Sequence, residues 1–504
     1  MDSVLRIVVA VCMGALLTTT ADSTVFVEKL NGYPGQGYAV DIALGTPGQK
    51  VRAIVDTGSS NFAIAGAPNV NISHYFDRLQ SSSVQCEARQ AKADYQFGSW
   101  QGTICQDVVQ FGTTDLSTYA FVTLIDRSSN FYIRNATWQG ILGLAYDSLA
   151  LPDKSVIPVL DNLVSNHKFE NSFTMSLCGR VGTSKNLSFT GSLTLGSNVE
   201  AVKKPSLVYT KIVEENFYSI LIDDMQVGGM SLGMDCKQYN KPRTFVDSGT
   251  TFLSLPTDVF LAVVGRIQQH LKKSNHSFLT CAKADKFWTG TSRCAVTDEA
   301  AFFALFPSVT LSLTAEEDAL DYFDLTIPPH LYLQGVPCFQ NPGHTCFMFS
   351  IQESAEGPCI LGTVLMEGYD VVFDRQNRRI GFSASSCTVG ASHLAKPSIT
   401  GLFRRTDATH CKYSEHTRPS KPSAFKSTIL FFGGVAFILM FVLCSWDNCF
   451  NSRSPARRFR RSIDVSRDSV SQVFQPILSS DDDDEPDVNI LPMEDITHRR
   501  KETV

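Results

Sequence analysis

The chain has 504 residues, 43% of them hydrophobic and 19% charged, which is typical of a globular protein with two or three domain-sized cores and excludes a disordered or fibrous chain. Its 44 basic and 50 acidic residues give a formal net charge of −6. That balance provides no general field to attract nucleic acid or an anionic surface, so we expect no nucleic-acid partner.

The N-terminus predicts entry into the secretory pathway. Arg6 precedes an apolar run over 7–17, and small residues follow as far as Ala21. This is the order of a secretory signal peptide, so residues 1–21 are predicted to be removed. Because the secretory pathway is oxidising, disulfides are expected in the rest of the chain.

Residues 26–387 predict a mainly β structure. Short apolar runs, such as 37–44 and 51–55, are separated by Gly, Asn and Ser turns. Apolar residues at helical spacing predict a few helices within this region, around 156–165 and 258–272.

A two-part pattern occurs twice in the β region. Val-Asp-Thr-Gly-Ser-Ser at 55–60 is mirrored by Val-Asp-Ser-Gly-Thr-Thr at 246–251. Each is followed downstream by Ile-Leu-Gly, at 141–143 and at 360–362. Two copies of the same pattern predict a duplicated, two-lobed fold.

The repeated motif places an Asp immediately before a tight turn in each lobe. Gly58 and Gly249 let the backbone turn, so Asp56 and Asp247 are expected at loop tips with hydroxyl residues beside them. Two carboxylates held side by side cannot both ionise, so the pair shares a proton and supplies one acid and one base. Such a pair activates a water molecule to attack a peptide carbonyl without a metal ion or cofactor. A single motif would indicate only a solvated turn, but the doubled motif predicts an acid protease.

The segment 427–446 has no charged side chain and, at about 1.5 Å per residue, spans about 30 Å, the thickness of a bilayer's hydrocarbon core. It is predicted to be a transmembrane helix. The Arg-rich segment 453–461 follows it, which places the tail in the cytoplasm and predicts a type I topology. Four N-glycosylation sequons precede the span and agree with a luminal ectodomain. They are Asn71, Asn135, Asn186 and Asn275.

The cysteine count also bears on the ectodomain. Of 14 Cys residues, Cys12 falls in the signal peptide, and Cys444 and Cys449 lie at the membrane exit. An odd number remains in the luminal part, so we expect disulfides together with at least one unpaired thiol.

Residues 26–387 resemble the pepsin-like aspartic proteases and, within that family, the membrane-anchored beta-secretase (memapsin) type. Besides the two Asp motifs, the matching segments are 138–146, 234–237 and 362–382. The resemblance implies an aspartic endopeptidase with a mainly β, bilobal pepsin-like fold and a C-terminal transmembrane helix. The predicted organisation is a signal peptide (1–21), an N-terminal lobe (22–205), a C-terminal lobe (206–412), a stalk (413–426), a transmembrane helix (427–446) and a cytoplasmic tail (447–504).

The resemblance assigns roles to individual residues. It implies that Asp56 and Asp247 are the catalytic pair, that Ser59 and Thr250 hydrogen-bond to their outer oxygens, and that Thr57 and Ser248 lock the two loops together. The flap that closes over the substrate is implied to contain Tyr95, Gly98 and Trp100.

Three disulfides are implied by the same resemblance. They are Cys178 with Cys387, Cys236 with Cys411, and Cys294 with Cys346. Cys86 with Cys105 and Cys281 with Cys338 are further candidate pairs, which leaves Cys359.

The chain departs from the family pattern at two places. Only a few residues separate Ala21 from the protease region, so inhibition by a prosegment is not expected. Ser254 stands where the beta-secretase type has an Arg, so the side-chain preference of the adjoining subsite does not carry over.

The cytoplasmic tail is acidic over 481–485 and is predicted to be disordered. Asp487 lies three residues before Ile490-Leu491, a spacing that resembles the sorting signal of the beta-secretase tail. Sorting adaptors are therefore expected partners, with traffic among Golgi, plasma membrane and endosomes. The alternative is an incidental aliphatic pair in a solvated tail.

Two other classes of protein fit the sequence less well than a protease does. A catalytically silent receptor or binding protein on the same fold is disfavoured because both Asp residues and their hydroxyl neighbours are intact. An adhesion ectodomain of stacked β-sandwiches does not explain the doubled motif. The expected partners are thus protein substrates, including the ectodomains of membrane proteins, and the bilayer through one transmembrane helix.

Overall fold

The computed structural model describes residues 25–413 apart from 34–35, 96–97, 168, 182–187, 197–206, 273–284, 337–343, 356, 386–394 and 408–409. The predicted signal peptide, transmembrane span and tail lie outside the described residues. So do Asn186, Asn275, Cys281, Cys338 and Cys387. In the part of the chain that is described, no helix combines the length and apolar character needed to cross a bilayer.

The described chain is predominantly β, which confirms the prediction from its turn-punctuated apolar runs. The strands are β1 (Phe26–Tyr33), β2 (Gly37–Leu44), β3 (Gln49–Asp56), β4 (Phe62–Ala65), β5 (Gln85–Tyr95), β6 (Gly98–Phe111), β7 (Ser117–Ser129), β8 (Gly140–Gly143), β9 (Ser172–Val181), β10 (Ser188–Leu195), β11 (Val208–Lys211), β12 (Glu214–Glu215), β13 (Tyr218–Ile220), β14 (Ile222–Val227), β15 (Met230–Ser231), β16 (Thr244–Val246), β17 (Leu253–Leu255), β18 (Cys294–Val296), β19 (Val309–Thr314), β20 (Asp321–Ile327), β21 (Leu333–Val336), β22 (Thr345–Phe349), β23 (Ile351–Glu353), β24 (Cys359–Leu361), β25 (Tyr369–Asp374), β26 (Arg379–Ala384) and β27 (Ser398–Arg404).

The described helices are fewer than the strands, and most of them are short. They are α1 (Val159–His167), α2 (Cys236–Tyr239), α3 (Thr257–Lys272), α4 (Asp285–Trp288), α5 (Glu299–Phe303), α6 (Pro329–Tyr332) and α7 (Thr363–Met366), with 3-10 turns at Arg78–Gln80 and Asp147–Leu149. α1 and α3 confirm the two helices predicted from apolar spacing. In α3 the residues Val259, Val263 and Ile267 recur at intervals of one turn and are fully buried, so this face anchors the helix.

Strands from both halves of the chain share one sheet of 13 strands, in the order β11-β26-β25-β9-β10-β1-β2-β3-β8-β4-β7-β6-β5. A six-stranded sheet, β12-β13-β16-β24-β17-β23, contains the second motif. A five-stranded sheet, β15-β14-β19-β20-β27, and a three-stranded sheet, β18-β22-β21, complete the second lobe. This arrangement confirms the mainly β, bilobal architecture.

The duplicated sequence pattern is also duplicated in space. β3 runs parallel to β8, and β4 is antiparallel to β8. In the second lobe β16 runs parallel to β24, and β17 is antiparallel to β24. Each Asp motif therefore lies beside its own Ile-Leu-Gly segment, which is why the two parts recur together along the chain.

The core continues through the junction between the two lobes. Phe173 in β9 stacks on Phe373 in β25 with ring centroids 4.6 Å apart, and Tyr218 meets Phe373 edge-on at the same separation. All three rings are fully buried. Burial of each such side chain contributes roughly 2 kcal/mol or more, so packing here stabilises the junction on which the site depends.

Two disulfides are described completely. Cys86 and Cys105 face each other across β5 and β6 and are bonded, and Cys236 is bonded to Cys411. Cys178, Cys294 and Cys346 are each disulfide-bonded as well, and the pairings implied for these three stay predictions. Cys359 is a buried free thiol, and it is the one that the candidate pairings had left over.

Candidate active site

Asp56 is the last residue of β3 and is 6% exposed. The parallel neighbour β8 fixes its backbone, because Leu144 N donates to Asp56 O at 2.8 Å. Two donors converge on its carboxylate. Gly58 N donates to Oδ1 at 2.8 Å, and Ser59 Oγ donates to Oδ2. These bonds favour the ionised form of Asp56.

Asp247 is the counterpart in the second lobe and is 1% exposed. It follows β16 directly, and its N–H donates to Leu361 O in β24 at 3.0 Å. Gly249 N donates to Asp247 Oδ1 at 2.9 Å, and Thr250 Oγ1 donates to Oδ2 at 2.7 Å. The contacts repeat those of Asp56, so the two loops have equivalent geometry.

Reciprocal hydrogen bonds join the two loops beneath the carboxylates. Thr57 N donates to Ser248 Oγ at 3.1 Å, and Ser248 N donates to Thr57 Oγ1 at 2.9 Å. The hydroxyls then donate onward, from Thr57 to Val246 O at 3.1 Å and from Ser248 to Val55 O at 2.8 Å. Each hydroxyl thus acts as donor and acceptor, a pairing that a hydrophobic side chain cannot provide.

The loops bring the two carboxylates into contact. A Cβ added to Gly58 would lie 2.6 Å from Asp247 Oδ1, and one added to Gly249 would meet Asp56 in the same way. Burial raises the pKa of both groups, and the charge of Asp56 raises the pKa of Asp247 further. The pair therefore retains one proton at a pH at which an ordinary Asp has lost it.

β5 and β6 form the hairpin that contains the predicted flap residues. Trp100 Nε1 donates to Tyr95 OH at 2.9 Å. Burial raises the pKa of Tyr95, and the charges of Asp56 and Asp247 raise it further, which places the phenol close to the carboxylates. Gly98 has φ of 138°, which favours glycine at the point where the hairpin returns.

A cluster of aromatic side chains packs behind Tyr95, and the sequence patterns do not predict it. Phe131 stacks on Tyr95 with ring centroids 5.8 Å apart, and Trp138 meets Phe131 edge-on at 5.5 Å. Tyr132 lies 4.9 Å from Phe131. Trp138 was noted only as part of the 138–146 segment. The spacing of these three aromatic residues in the sequence does not predict which of their rings contacts the flap.

Two of the predicted glycosylation sites and Ser254 fall within the described residues. Asn135 is exposed, whereas Asn71 is half-buried and its Nδ2 donates to Tyr132 O at 3.0 Å. Ser254 is fully buried in β17 and accepts from Gln352 Nε2 at 2.7 Å.

A shared-proton pair of carboxylates at the junction of two pseudo-equivalent lobes, beneath a hairpin with a half-buried Tyr, defines the class of aspartic proteases. Residues 37–385 match the family model of the eukaryotic aspartyl proteases. The chain belongs to this family and is an aspartic endopeptidase of the pepsin-like kind.

Several curated proteins are similar over most of the chain. A beta-secretase of Strongylocentrotus purpuratus is 32% identical over 462 residues, which cover 87% of this chain and 84% of the relative. A pregnancy-associated glycoprotein of Equus caballus is 25% identical over 381 residues, covering 73% and 87%. A pepsin A of Rhinolophus ferrumequinum is 25% identical over 379 residues, covering 72% and 85%.

Proposed function

We propose that the protein is a membrane-anchored endopeptidase that hydrolyses peptide bonds of protein substrates with water activated by Asp56 and Asp247. The observation that carries this proposal is the contact between two buried carboxylates, which repel each other too strongly for both to ionise and so share one proton. Thr57, Gly58, Ser59, Ser248, Gly249 and Thr250 would hold the pair in place.

The first step uses the base and the acid together. Asp56, ionised, removes a proton from water as the water oxygen bonds to the carbonyl carbon of the scissile peptide. Asp247, protonated, gives its proton to the carbonyl oxygen, so a neutral tetrahedral diol forms. In the second step Asp56 passes its new proton to the amide nitrogen, Asp247 takes a proton from the diol, and the C–N bond breaks. The pair returns to its starting protonation state.

The hairpin around Tyr95 is the flap in this mechanism. Its closure over the substrate excludes bulk water and strengthens the hydrogen bonds made to the developing tetrahedral centre. The bond from Trp100 orients the Tyr95 hydroxyl, and Gly98 gives the hairpin its turn.

Activity is expected to require mildly to strongly acidic conditions. The rate falls at low pH when Asp56 gains a proton, and it falls at high pH when Asp247 loses the proton that it donates. Because burial and the neighbouring charge raise the pKa of Asp247, the upper limb lies above the ordinary pKa of an Asp.

Turnover of a quenched peptide library by the purified ectodomain tests the enzymatic proposal. We expect a bell-shaped dependence of kcat/KM on pH and inhibition by hydroxyethylene peptide mimics, whose hydroxyl replaces the attacked water between the carboxylates. No turnover of any peptide between pH 3 and 7 would instead support a silent binding protein on a protease fold.

The membrane location rests on sequence and on similarity. Residues 427–446 have the length and composition of a transmembrane helix, and a beta-secretase is among the relatives that match most of the chain. A signal peptide, a type I anchor and an endosomal route would bring the acid-dependent pair to an acidic compartment. Anchoring in the same bilayer would also favour membrane-protein ectodomains as substrates.

The tail motif supplies a test of both anchoring and routing. Replacing Ile490 and Leu491 with Ala in the full chain is expected to raise the surface fraction measured by biotinylation, because adaptors bind the acidic charge and both aliphatic side chains. A surface fraction equal to that of the unaltered chain would remove the sorting role. Release of the full chain into the medium would contradict the anchor.

A further inference from the structure

A buried cation lies behind the loop that carries Asp56. Arg375 follows β25, and its side chain is only 3% exposed. Its Nη2 donates to Asp161 Oδ1 in α1 at 2.8 Å, and its Cζ lies 4.6 Å from the centroid of the Tyr146 ring. The guanidinium therefore joins α1 to the segment that follows β8.

The segment 144–146 holds the Asp56 loop by several hydrogen bonds. Besides the bond from Leu144 described above, Ala145 N donates to Ser59 O at 2.8 Å, and Ser60 Oγ donates to Tyr146 O at 2.6 Å. Ser59 is also the residue whose hydroxyl donates to the Asp56 carboxylate. A displacement of the segment would therefore move a donor of the catalytic base.

A contribution to stability does not by itself explain why an Arg is buried at position 375. Among the described residues, its Nε and Nη1 have no hydrogen-bond partner, and neither does Asp161 Oδ2. A buried ion pair with unsatisfied groups seldom repays its desolvation, and replacing both members of such a pair with apolar residues is often neutral or stabilising. What the planar guanidinium provides beyond charge is a flat face against the Tyr146 ring.

We propose that Arg375 is a positioning residue for Asp56: its stacking on Tyr146 holds the segment 144–146, which in turn fixes the loop that donates to the Asp56 carboxylate. The inference rests on the proposed peptidase function. The ionisable groups that face Asp56 directly are Asp247 and Tyr95. Those around Tyr146 are Arg375, Glu215, Arg378 and Tyr218, whose ring centroid lies 5.2 Å from that of Tyr146.

Steady-state kinetics of Arg375→Met in the ectodomain tests the proposal. We expect kcat to fall about tenfold to a hundredfold with KM changed less than about twofold, because the chemistry and not substrate binding loses its geometry. Weaker hydrogen-bond donation to the Asp56 carboxylate should also raise the pH at which kcat falls on the acid side, by about half a pH unit. Because Arg375→Met leaves Asp161 without its cation, the urea midpoint of unfolding is expected to fall, so kcat is measured per folded molecule.

Arg379→Met is the matched control. Arg379 also stacks on a Tyr ring, with its Cζ 4.0 Å from the Tyr209 centroid, and is paired with Asp374 at 2.8 Å. In the Arg379→Met variant, kcat is expected to fall on the acid side at the same pH as in the unaltered protein. If the unaltered protein cleaves peptides and both Met variants share its acid limb, the inference fails while the proposed function stands. If the unaltered protein cleaves nothing, the proposed function fails.

Three further variants separate stacking from charge and guard against misfolding of Arg375→Met. Arg375→Lys keeps the charge and loses the flat face, so it should still show the shifted acid limb. Recovery of the unaltered profile by Lys would overturn the positioning role. Tyr146→Leu should reproduce the shift, and Tyr146→Phe, which keeps the ring, should restore most of the lost kcat.

Discussion

Asp247→Asn is expected to lower kcat by at least about 10³-fold, because the variant has no acid to protonate the carbonyl oxygen and general acid–base catalysis contributes about 10² to 10⁴. Asp56→Asn should cost at least as much, since it removes the base. The measurement is kcat for a quenched peptide at the optimal pH of the unaltered ectodomain.

Neither Asn variant should unfold the protein. An amide oxygen can still accept from Gly249 N or Gly58 N, and replacing one carboxylate relieves the repulsion within the pair. The urea midpoint is therefore expected to be unchanged or higher. Retained turnover in a variant with both Asn substitutions would sink the two-carboxylate mechanism.

Asp107→Asn is a suitable control for the loss of a buried carboxylate. Asp107 is fully buried in β6 and accepts from Ser81 Oγ at 2.8 Å and from Ser83 Oγ at 2.6 Å, away from the catalytic pair. This substitution should lower stability through its hydrogen bonds. The specific activity of the folded fraction should remain.

Glu367→Gln is expected to remove a large part of the pH dependence of stability. Glu367 follows α7 and is 6% exposed, and Tyr38 OH donates to its Oε1 at 2.9 Å. Tyr38 OH in turn accepts from Gly179 N at 3.0 Å, so the carboxyl lies at the junction of β2 and β9. Burial raises the pKa of Glu367 from 4.5 to about 7, and the bond from Tyr38 opposes that rise.

The direction of the effect follows from where the proton binds. Because the folded protein holds this proton more tightly than the unfolded chain does, the stability contributed by neutral Glu367 is fully present below pH 4.5 and is lost as pH rises towards 7. A rise from 4.5 to about 7 corresponds to about 3 kcal/mol. We therefore expect Glu367 to favour the folded state in acid, apart from any contribution of Asp56 and Asp247.

Urea unfolding of the ectodomain at pH 4.5 and at pH 7.5 measures this contribution. The unaltered protein and Glu367→Gln should have similar unfolding free energies at pH 4.5. At pH 7.5 the Gln variant should be more stable by up to about 3 kcal/mol, since an amide cannot ionise. The catalytic carboxylates contribute equally to both proteins and cancel in the difference.

Tyr38→Phe serves as the control for this prediction. It removes the hydrogen bond that opposes the raised pKa of Glu367, so its stability should still decline with rising pH. Equal unfolding free energies of Glu367→Gln and the unaltered protein at both pH values would show that Glu367 remains protonated or is solvated in the fold.

The repeated motif and the hydrophobic spacing by themselves determined most of the fold and of the candidate site. Asp56 and Asp247 were identified because the same residue types recur at the same offsets, and their neighbours supply bonds within three residues of each Asp. Helices α1 and α3 were predictable for a similar reason. Local spacing decides which face is apolar, and that face must be buried.

Only the tertiary structure decided which distant groups meet. Tyr38 and Glu367 are 329 residues apart, and Arg375 lies 214 residues from Asp161, so no local pattern links them. Cysteine parity required a free thiol and the candidate pairings left Cys359, but its burial without a partner depends on which Cβ atoms the strands bring together. Contacts of this kind follow from strand register and from the closure of long loops, which are properties of the whole chain.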